Sequence, residues 1–262
     1  MNSLNSRDIQ INPSLPNLKL DGYYDLNDEL GLVKISGANS KAFLQGQLTC
    51  DLEQITETQP GFSAHCNIKG RMVSLGFLFL IGEDYYYLLP NSICDIALNT
   101  LKKYAAFSKV EIMLCTEYCI YGSINQPTDN CIADITLSDN HNIILRENKI
   151  DATMRDLNDW HLSLIENRIP VITDKTSGHF IPQMVGLEKL GGLSFTKGCF
   201  LGQEIIARTQ HLGKLKRHMQ LIKSDCEMSA GDIIEKDGNE FGEIVLAAKS
   251  EDTFFALAVL KN

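Results

Sequence analysis

The densest set of reactive side chains is Lys197-Gly198-Cys199-Phe200-Leu201-Gly202-Gln203-Glu204, closed four residues later by Arg208. A thiol, an ammonium, an amide, a carboxylate and a guanidinium fall within one short stretch. The chemistry such a set suits is that of an activated thiolate. Gly198 and Gly202 let the backbone bend tightly or approach a ligand closely. Residues 203–208 read as the first turns of a helix, which puts Cys199 just ahead of a helix N-terminus with Lys197 beside it. Both neighbours favour the thiolate over the thiol. Glu204 and Arg208 stand four apart, share a helix face and can pair. A cysteine in a soluble protein is more often a small buried apolar residue. A packing residue of that kind needs no flanking lysine, glycines and Gln-Glu pair.

The remaining cysteines are Cys50, Cys66, Cys94, Cys115, Cys119, Cys131 and Cys226. None forms a Cys-x-x-Cys pair, so a zinc ribbon and a thioredoxin-like dithiol are excluded. Cys115 and Cys119 sit in strand-like runs and read as core packing. The chain has no Gly-x-Ser-x-Gly, no phosphate-binding glycine loop and no paired-His zinc motif. His65, His179 and His211 are the histidines open to a partnership with Cys199 in space.

The elements that position these groups must come from 262 residues, enough for one to three compact units. An apolar fraction of 44% and a charged fraction of 22% are those of an ordinary soluble protein. A net charge of −9 argues against general affinity for nucleic acid. Lys214-Leu215-Lys216-Arg217-His218 is a small basic exception that reads as a solvated face. The first residues carry no apolar core of a secretory signal, and no apolar run reaches the roughly 18 residues that span a bilayer. A cytoplasmic location without a membrane partner is expected, and with it thiols in place of disulfides.

Residues 1–20 are polar, hold two prolines and read as an arm. From there the expected order is a strand at 31–37, a short helix capped by Asn39 or Ser40, a hairpin of 62–68 and 72–81 turning at Lys69-Gly70, and a strand at 85–89. A helix capped by Asn91-Ser92 and a strand at 109–115 follow. This is an α+β unit over 21–112, with its helices on one sheet face. A looser second unit spans 113–213: strands at 118–123, 131–136 and 141–146, then a helix at 154–168 bearing Leu157, Trp160, His161, Leu164 and Ile165 at near-helical spacing. The loop-rich span 173–196 leads into the cysteine motif. Short strands fill 214–262, with Asp237-Gly238 as a hairpin turn, and suggest a small β-barrel.

The motif resembles the signature of the YgfZ family of folate-binding proteins, Lys-Gly-Cys-aromatic-x-Gly-Gln-Glu-x-x-x-Arg, at every defined position from Lys197 to Arg208. Further matching runs sample nearly the whole chain, among them Leu44-Gln45-Gly46-Gln47-Leu48-Thr49-Cys50-Asp51, His65-Cys66-Asn67-Ile68-Lys69-Gly70-Arg71 and Lys103-Tyr104-Ala105-Ala106-Phe107-Ser108-Lys109-Val110. The family is related to the T-protein of the glycine cleavage system and is linked to assembly or repair of iron–sulfur clusters, including those of a tRNA-modifying enzyme. The resemblance implies a T-protein-like ring of two α+β units plus a small C-terminal β-barrel, with tetrahydrofolate or a derivative in the central hole. Cys199, Lys197 and Arg208 are its implied reactive group; Trp160, Glu166, Asn67, Gln203, Glu204 and Leu30 are its implied folate contacts. It implies no resident metal, though a transient iron–sulfur cluster is compatible with it. Its implied partners are folate and iron–sulfur client enzymes or assembly factors. Leu30 replaces an aromatic contact of the family, and Arg168 stands where many relatives have alanine.

The catalytic aspartate of the T-protein lies in Asn-x-x-Gly-Gly-Val-x-Asp-Asp. The matching segment here is 67–75, where Ser74 and Leu75 replace both carboxylates. Neither can orient an amine or carry its proton as a carboxylate does. Aminomethyl transfer is therefore not expected, although a folate-dependent one-carbon transferase or demethylase is the rival reading. A folate-binding module without chemistry is a third. The thiolate of Cys199 could attack an oxidised sulfur, form a mixed disulfide or transiently ligate iron, and sequence does not choose among these.

Overall fold

The computed structural model describes residues 3–213 and 215–262. Met1 and Asn2 of the expected arm, and Lys214 of the basic cluster, lie outside the described residues.

Three sheets carry a mixed α/β fold. In chain order the elements are β1 (Ser3–Asn5), β2 (Gln10–Ile11), β3 (Gly22–Asp25), β4 (Leu30–Ser36), α1 (Ser40–Gln47), β5 (Gly61–Cys66), β6 (Met72–Ile81), β7 (Asp84–Pro90), α2 (Asn91–Ala105) and β8 (Glu111–Cys115). There follow β9 (Cys119–Ile124), β10 (Ala133–Ser138), β11 (His141–Arg146), α3 (Leu157–Glu166), α4 (Gln203–Leu212), β12 (Arg217–Ser224), β13 (Ile233–Lys236), β14 (Asn239–Ser250) and β15 (Thr253–Lys261). The first sheet runs β5-β6-β7-β4-β8, the second β10-β11-β9-β3 and the third β1-β13-β14-β15-β12-β2.

Alternation along the strands divides the first sheet between two cores. Val33, Ile35, Leu78, Tyr87 and Leu89 face α1 and α2, where they meet Phe43, Leu44, Ile93, Ala97 and Leu101. The opposite face sends Leu32, Ala64, Cys66, Leu75 and Leu88 into a larger core shared with Trp160 of α3, Ile143 of β11 and Leu257 of β15. Each sheet contributes a face to that shared core. At roughly 25 cal/mol per Å2 of apolar surface, a side chain of leucine size buried there contributes about 1.5–3 kcal/mol.

Two local expectations change. The helix cap expected at Asn91-Ser92 is Pro90, and no side chain bonds the free N–H groups of α2; the extended residue entering from β7 sets the helix start. The polar leader gives β1 and β2 to the third sheet, β1 pairing with β13 and β2 with β12. Both are too short and too polar for a strand pattern to show in the sequence.

His65 on β5 is fully buried, and neither ring nitrogen has a hydrogen-bond partner among the described residues. Burial pushes its pKa from 6.5 down to about 4. His141, packed edge-on 4.7 Å from the Trp160 ring, is also held down to about 4 by burial. The unfolded chain takes up these protons near pH 6.5 and the folded chain only near 4, so the unfolded state binds more protons between those values. Stability is then complete above about pH 6.5 and falls as pH drops toward 4, by up to about 3 kcal/mol per histidine. Urea unfolding across that window should show the slope, and His65→Leu should flatten part of it. A level profile in the wild type would contradict this.

Candidate functional site

The first half of the cysteine motif, Lys197 to Gly202, lies in a segment without regular structure that is pinned on both sides of the thiol. Thr49 Oγ1 donates to Gly192 O at 2.6 Å, and Ser194 N donates to Thr49 O at 2.9 Å. Beyond the cysteine, Leu201 N donates to Gly46 O at 3.0 Å. Lys197 turns inward. Its Nζ donates to Leu48 O and Cys50 O, each at 2.7 Å, and sits 5.1 Å from the centre of the buried Phe200 ring. Burial pushes this amine down to about 8, against the pull of Cys50 and Asp51. Its hydrogen bonds thus go to the connection between α1 and β5, where it acts as a peg for the loop. Between the peg and Phe200, Gly198 and Cys199 are exposed.

Gly202 is where the bend needs glycine. Its φ is +82°, and a Cβ there would fall 2.5 Å from Asn67 O and 3.0 Å from Gly70 Cα. At Gly198 a Cβ would meet nothing within 4 Å. The β5–β6 turn that crowds Gly202 is closed by Asn67, whose Oδ1 accepts from Lys69 N at 2.9 Å and Arg71 N at 3.2 Å. The Asn67 carbonyl is thereby brought against Gly202, the residue before α4. As expected, α4 begins at Gln203, with Cys199 four residues ahead of it. Glu204 and Arg208 are both exposed and make no ion pair with each other among the described residues. None of the candidate histidines hydrogen-bonds Cys199: His65 is buried in the first sheet, His179 Nδ1 lies 2.6 Å from Glu243 Oε1, and His211 lies edge-on to Phe195 at 6.1 Å. Cys199 and Cys226 are the two exposed thiols among eight free cysteines.

A second group of expected residues gathers elsewhere. Trp160 is 2% exposed, 5.4 Å from the Tyr24 ring and packed on Gly122, where a Cβ would come within 2.5 Å of the indole. One side of it closes an apolar crevice of about 50 Å3 that Leu30 also lines. Phe62 and Phe77, stacked at 4.5 Å across β5 and β6, complete its walls. Sequence reasoning passed over both phenylalanines; their signal was the strand alternation that aims them at the shared core. Phe62 also lines an adjoining cavity of about 610 Å3 with Asp51, Leu190 and Phe195. Glu166 is exposed at the end of α3 and makes no hydrogen bond or ion pair among the described residues.

At the position of the T-protein carboxylates, Ser74 and Leu75 are buried, and Ser74 Oγ donates to Tyr87 OH at 3.4 Å. Among the described residues no group of three or more His, Cys, Asp or Glu side chains is placed to hold a metal ion. No helix among them is long and apolar enough to cross a membrane.

No family model matches the chain. It is 31% identical over 287 residues to the tRNA-modifying protein YgfZ of Colwellia psychrerythraea, covering 95% of this chain and 88% of that one. It is 33% identical over 279 residues to the protein of the same name from Aliivibrio fischeri, covering 95% and 86%. In fold it is similar to the glycine cleavage system aminomethyltransferase T of Bartonella henselae, with a TM-score of 0.67, 14% identity, and coverage of 92% of this chain and 78% of that one.

Proposed function

The chain belongs to the YgfZ family of tRNA-modifying proteins, and from that premise we propose that it binds a reduced folate in the cytoplasm and supports assembly or repair of iron–sulfur clusters in selected enzymes, tRNA-modifying ones among them. Cys199 is its reactive group. The observation that carries this reading is the exposed thiol between two anchored flanks, the Lys197 peg on one side and the Phe200-Leu201 contact with α1 on the other. A loop built to hold a thiol still and in solvent is suited to meeting a sulfur or iron atom on another protein. The cluster is the substrate, brought by the client enzyme.

The residues near Trp160 fit a folate. The crevice alone is smaller than the roughly 300 Å3 of a small-molecule site, but the adjoining cavity falls within that class. Leu30, Phe62, Phe77 and Trp160 offer apolar walls to a flat ring, and Glu166, on the same helix as Trp160, a polar edge. Bound folate would supply a one-carbon carrier; the chain's own groups bind and orient it. In this reading the sheets stand as a ring of two α+β units with a C-terminal barrel around that site.

A deletion strain assayed for several iron–sulfur enzymes tests the function. Activity of some of them should fall and return with this chain; unchanged activity of all would overturn the reading. Aminomethyl transfer should be absent, because Ser74 and Leu75 leave no carboxylate and Tyr87 closes the place. Given the other glycine-cleavage components and tetrahydrofolate, the purified protein should form no methylene-folate above background. Turnover of about 1 per second or faster would establish the transferase instead.

A further inference from the structure

The loop that holds Cys199 has a counterpart across α1. The turn after α2 carries Phe107, whose side chain is 99% exposed. That turn is fixed: Ser108 N donates to Ala105 O at 2.8 Å, and Asn39 Nδ2 donates to Ser108 O at 3.0 Å. Asn39 precedes α1, and Gly46 near the other end of that helix accepts from Leu201 N. At 1.5 Å per residue the two anchor points stand about 10 Å apart. An exposed aromatic ring and an exposed thiol are thus held on fixed loops at the two ends of one short helix.

Other exposed apolar groups adjoin the same frame. Tyr104, one turn before Phe107, lies edge-on to the buried His65 ring at 6.4 Å. His65 in turn bridges Leu48, whose carbonyl holds Lys197. Ile68 stands in the β5–β6 turn that abuts Gly202. Ile205 stands in the first turn of α4, its Cβ 3.2 Å from where a Cβ of Gly70 would lie. Ile68, Tyr104, Phe107 and Ile205 are four of the nine large hydrophobic side chains exposed among the described residues. They form a cluster, unlike the single apolar residues scattered over any soluble surface.

The charge around them has one prevailing sign. Residues 62–82, 96–110 and 189–203 supply this face and contain none of the chain's 33 acidic residues. Lys69, Lys102, Lys103 and Lys109 are exposed and make no ion pair among the described residues. Glu204, at the start of α4, borders the patch. Lys102 and Lys103 also suit the negative end of α2, but that role needs neither Lys69 nor Lys109 and leaves the bare Phe107 ring unexplained. RNA would use the lysines, yet it gains nothing from Ile68 and Ile205 and meets a chain of net charge −9. A protein surface with an apolar centre and an acidic rim uses every part, in the arrangement that protein interfaces take.

We propose that this face docks the client protein whose iron or sulfur Cys199 meets, through Phe107, Tyr104, Ile68 and Ile205, with the four lysines against an acidic rim of the partner. This rests on the reading of Cys199 given above and adds to it where the client binds. An interface of standard size covers about 800 Å2 on each partner, a disc roughly 30 Å across. That is wide enough to take in the Phe107 turn, α1 and the cysteine loop together.

The test uses the full chain and, as probe, the purified iron–sulfur enzyme whose activity falls furthest in a deletion strain. Phe107→Asp with Ile68→Asp, altered only at exposed positions, should leave urea unfolding and the rate of Cys199 alkylation by iodoacetamide at wild-type levels. The same variant should bind the enzyme at least about tenfold more weakly in calorimetry and fail to restore its activity in the strain. Lys102→Glu with Lys103→Glu should weaken binding independently, and wild-type binding should weaken as salt rises from about 50 to about 500 mM. Phe107→Ser alone, at a side chain already in water, should lower affinity about threefold or more and serves if the aspartates disturb the fold. Wild-type affinity and full rescue by the double variants, with Cys199→Ser inactive, would overturn the surface and leave the thiol reading standing. A wild type that does not bind the enzyme would overturn it as well. Rescue by Cys199→Ser would remove the thiol reading and this surface with it. Bulk tRNA that binds the wild type and is lost by the same variants would show a nucleic-acid face and overturn the proposal.

Discussion

Cys199→Ser is expected to fold normally and to leave the iron–sulfur enzymes of a deletion strain at the level of the strain without the gene. The side chain is exposed and makes no hydrogen bond among the described residues, so its stability cost should lie within about 0.5 kcal/mol. The functional loss should nevertheless be nearly complete, because a hydroxyl can neither exchange with sulfur nor bind iron as a thiolate does. Limited alkylation of the native wild type, read by mass spectrometry, should label Cys199 ahead of the other cysteines. Cys226 is the internal control, since it is also exposed but lies outside the anchored loop. Full rescue by the serine variant, or labelling of Cys226 at the same rate, would remove the thiol from the mechanism and leave shape or folate binding to carry it.

Trp160→Ala should cost about 3–5 kcal/mol of stability, the range for truncating a large aromatic side chain in a core. The indole is 2% exposed and is packed between Tyr24, His141 and Gly122, where three strands of the second sheet and α3 meet. Its removal opens a cavity that rigid strand backbone cannot fill. Urea unfolding measures this directly, and a loss under about 1 kcal/mol would show that the core tolerates the void. The same burial means that an alanine variant reports on folding before it reports on folate. A gentler probe is Trp160→Phe, which keeps the core filled while changing the wall of the crevice.

The local elements were legible where one periodicity dominated. The hairpin over β5 and β6 was readable because apolar runs flank Lys69-Gly70, and α4 because the run from Gln203 to Arg208 reads as the first turns of a helix. Boundaries moved where a neighbour outside the element decided them, as with Pro90 at α2. The candidate site was legible as a motif but not as geometry. Lys197 and Cys199 are two residues apart, yet one is a buried peg and the other is in solvent, because carbonyls of Leu48 and Cys50 nearly 150 positions away capture the ammonium. Glu204 and Arg208 had the spacing to pair, but both side chains remain in water, where such a pair is worth only about 0.3–0.5 kcal/mol. The Phe62–Phe77 stack escaped notice because alternation shows which face each ring takes, whereas the register that sets the two rings opposite each other appears only in the folded hairpin.

The two short strands at the amino-terminal end give the chain a timing problem. Ser3–Asn5 pairs with residues 233–235 of β13, and Gln10–Ile11 with residues 222–223 of β12. At ribosomal rates of about 5–20 residues per second, the β1 segment waits roughly 10–45 s for its partner to be made. These two segments flank the third sheet on opposite edges, so both edges stay open until residues 222–235 have been made and paired. An open edge is a template for the wrong strand, whether from this chain or another. The polar, proline-containing character of residues 1–20 suits that interval: a leader that resists pairing by itself can wait in water and close both edges late.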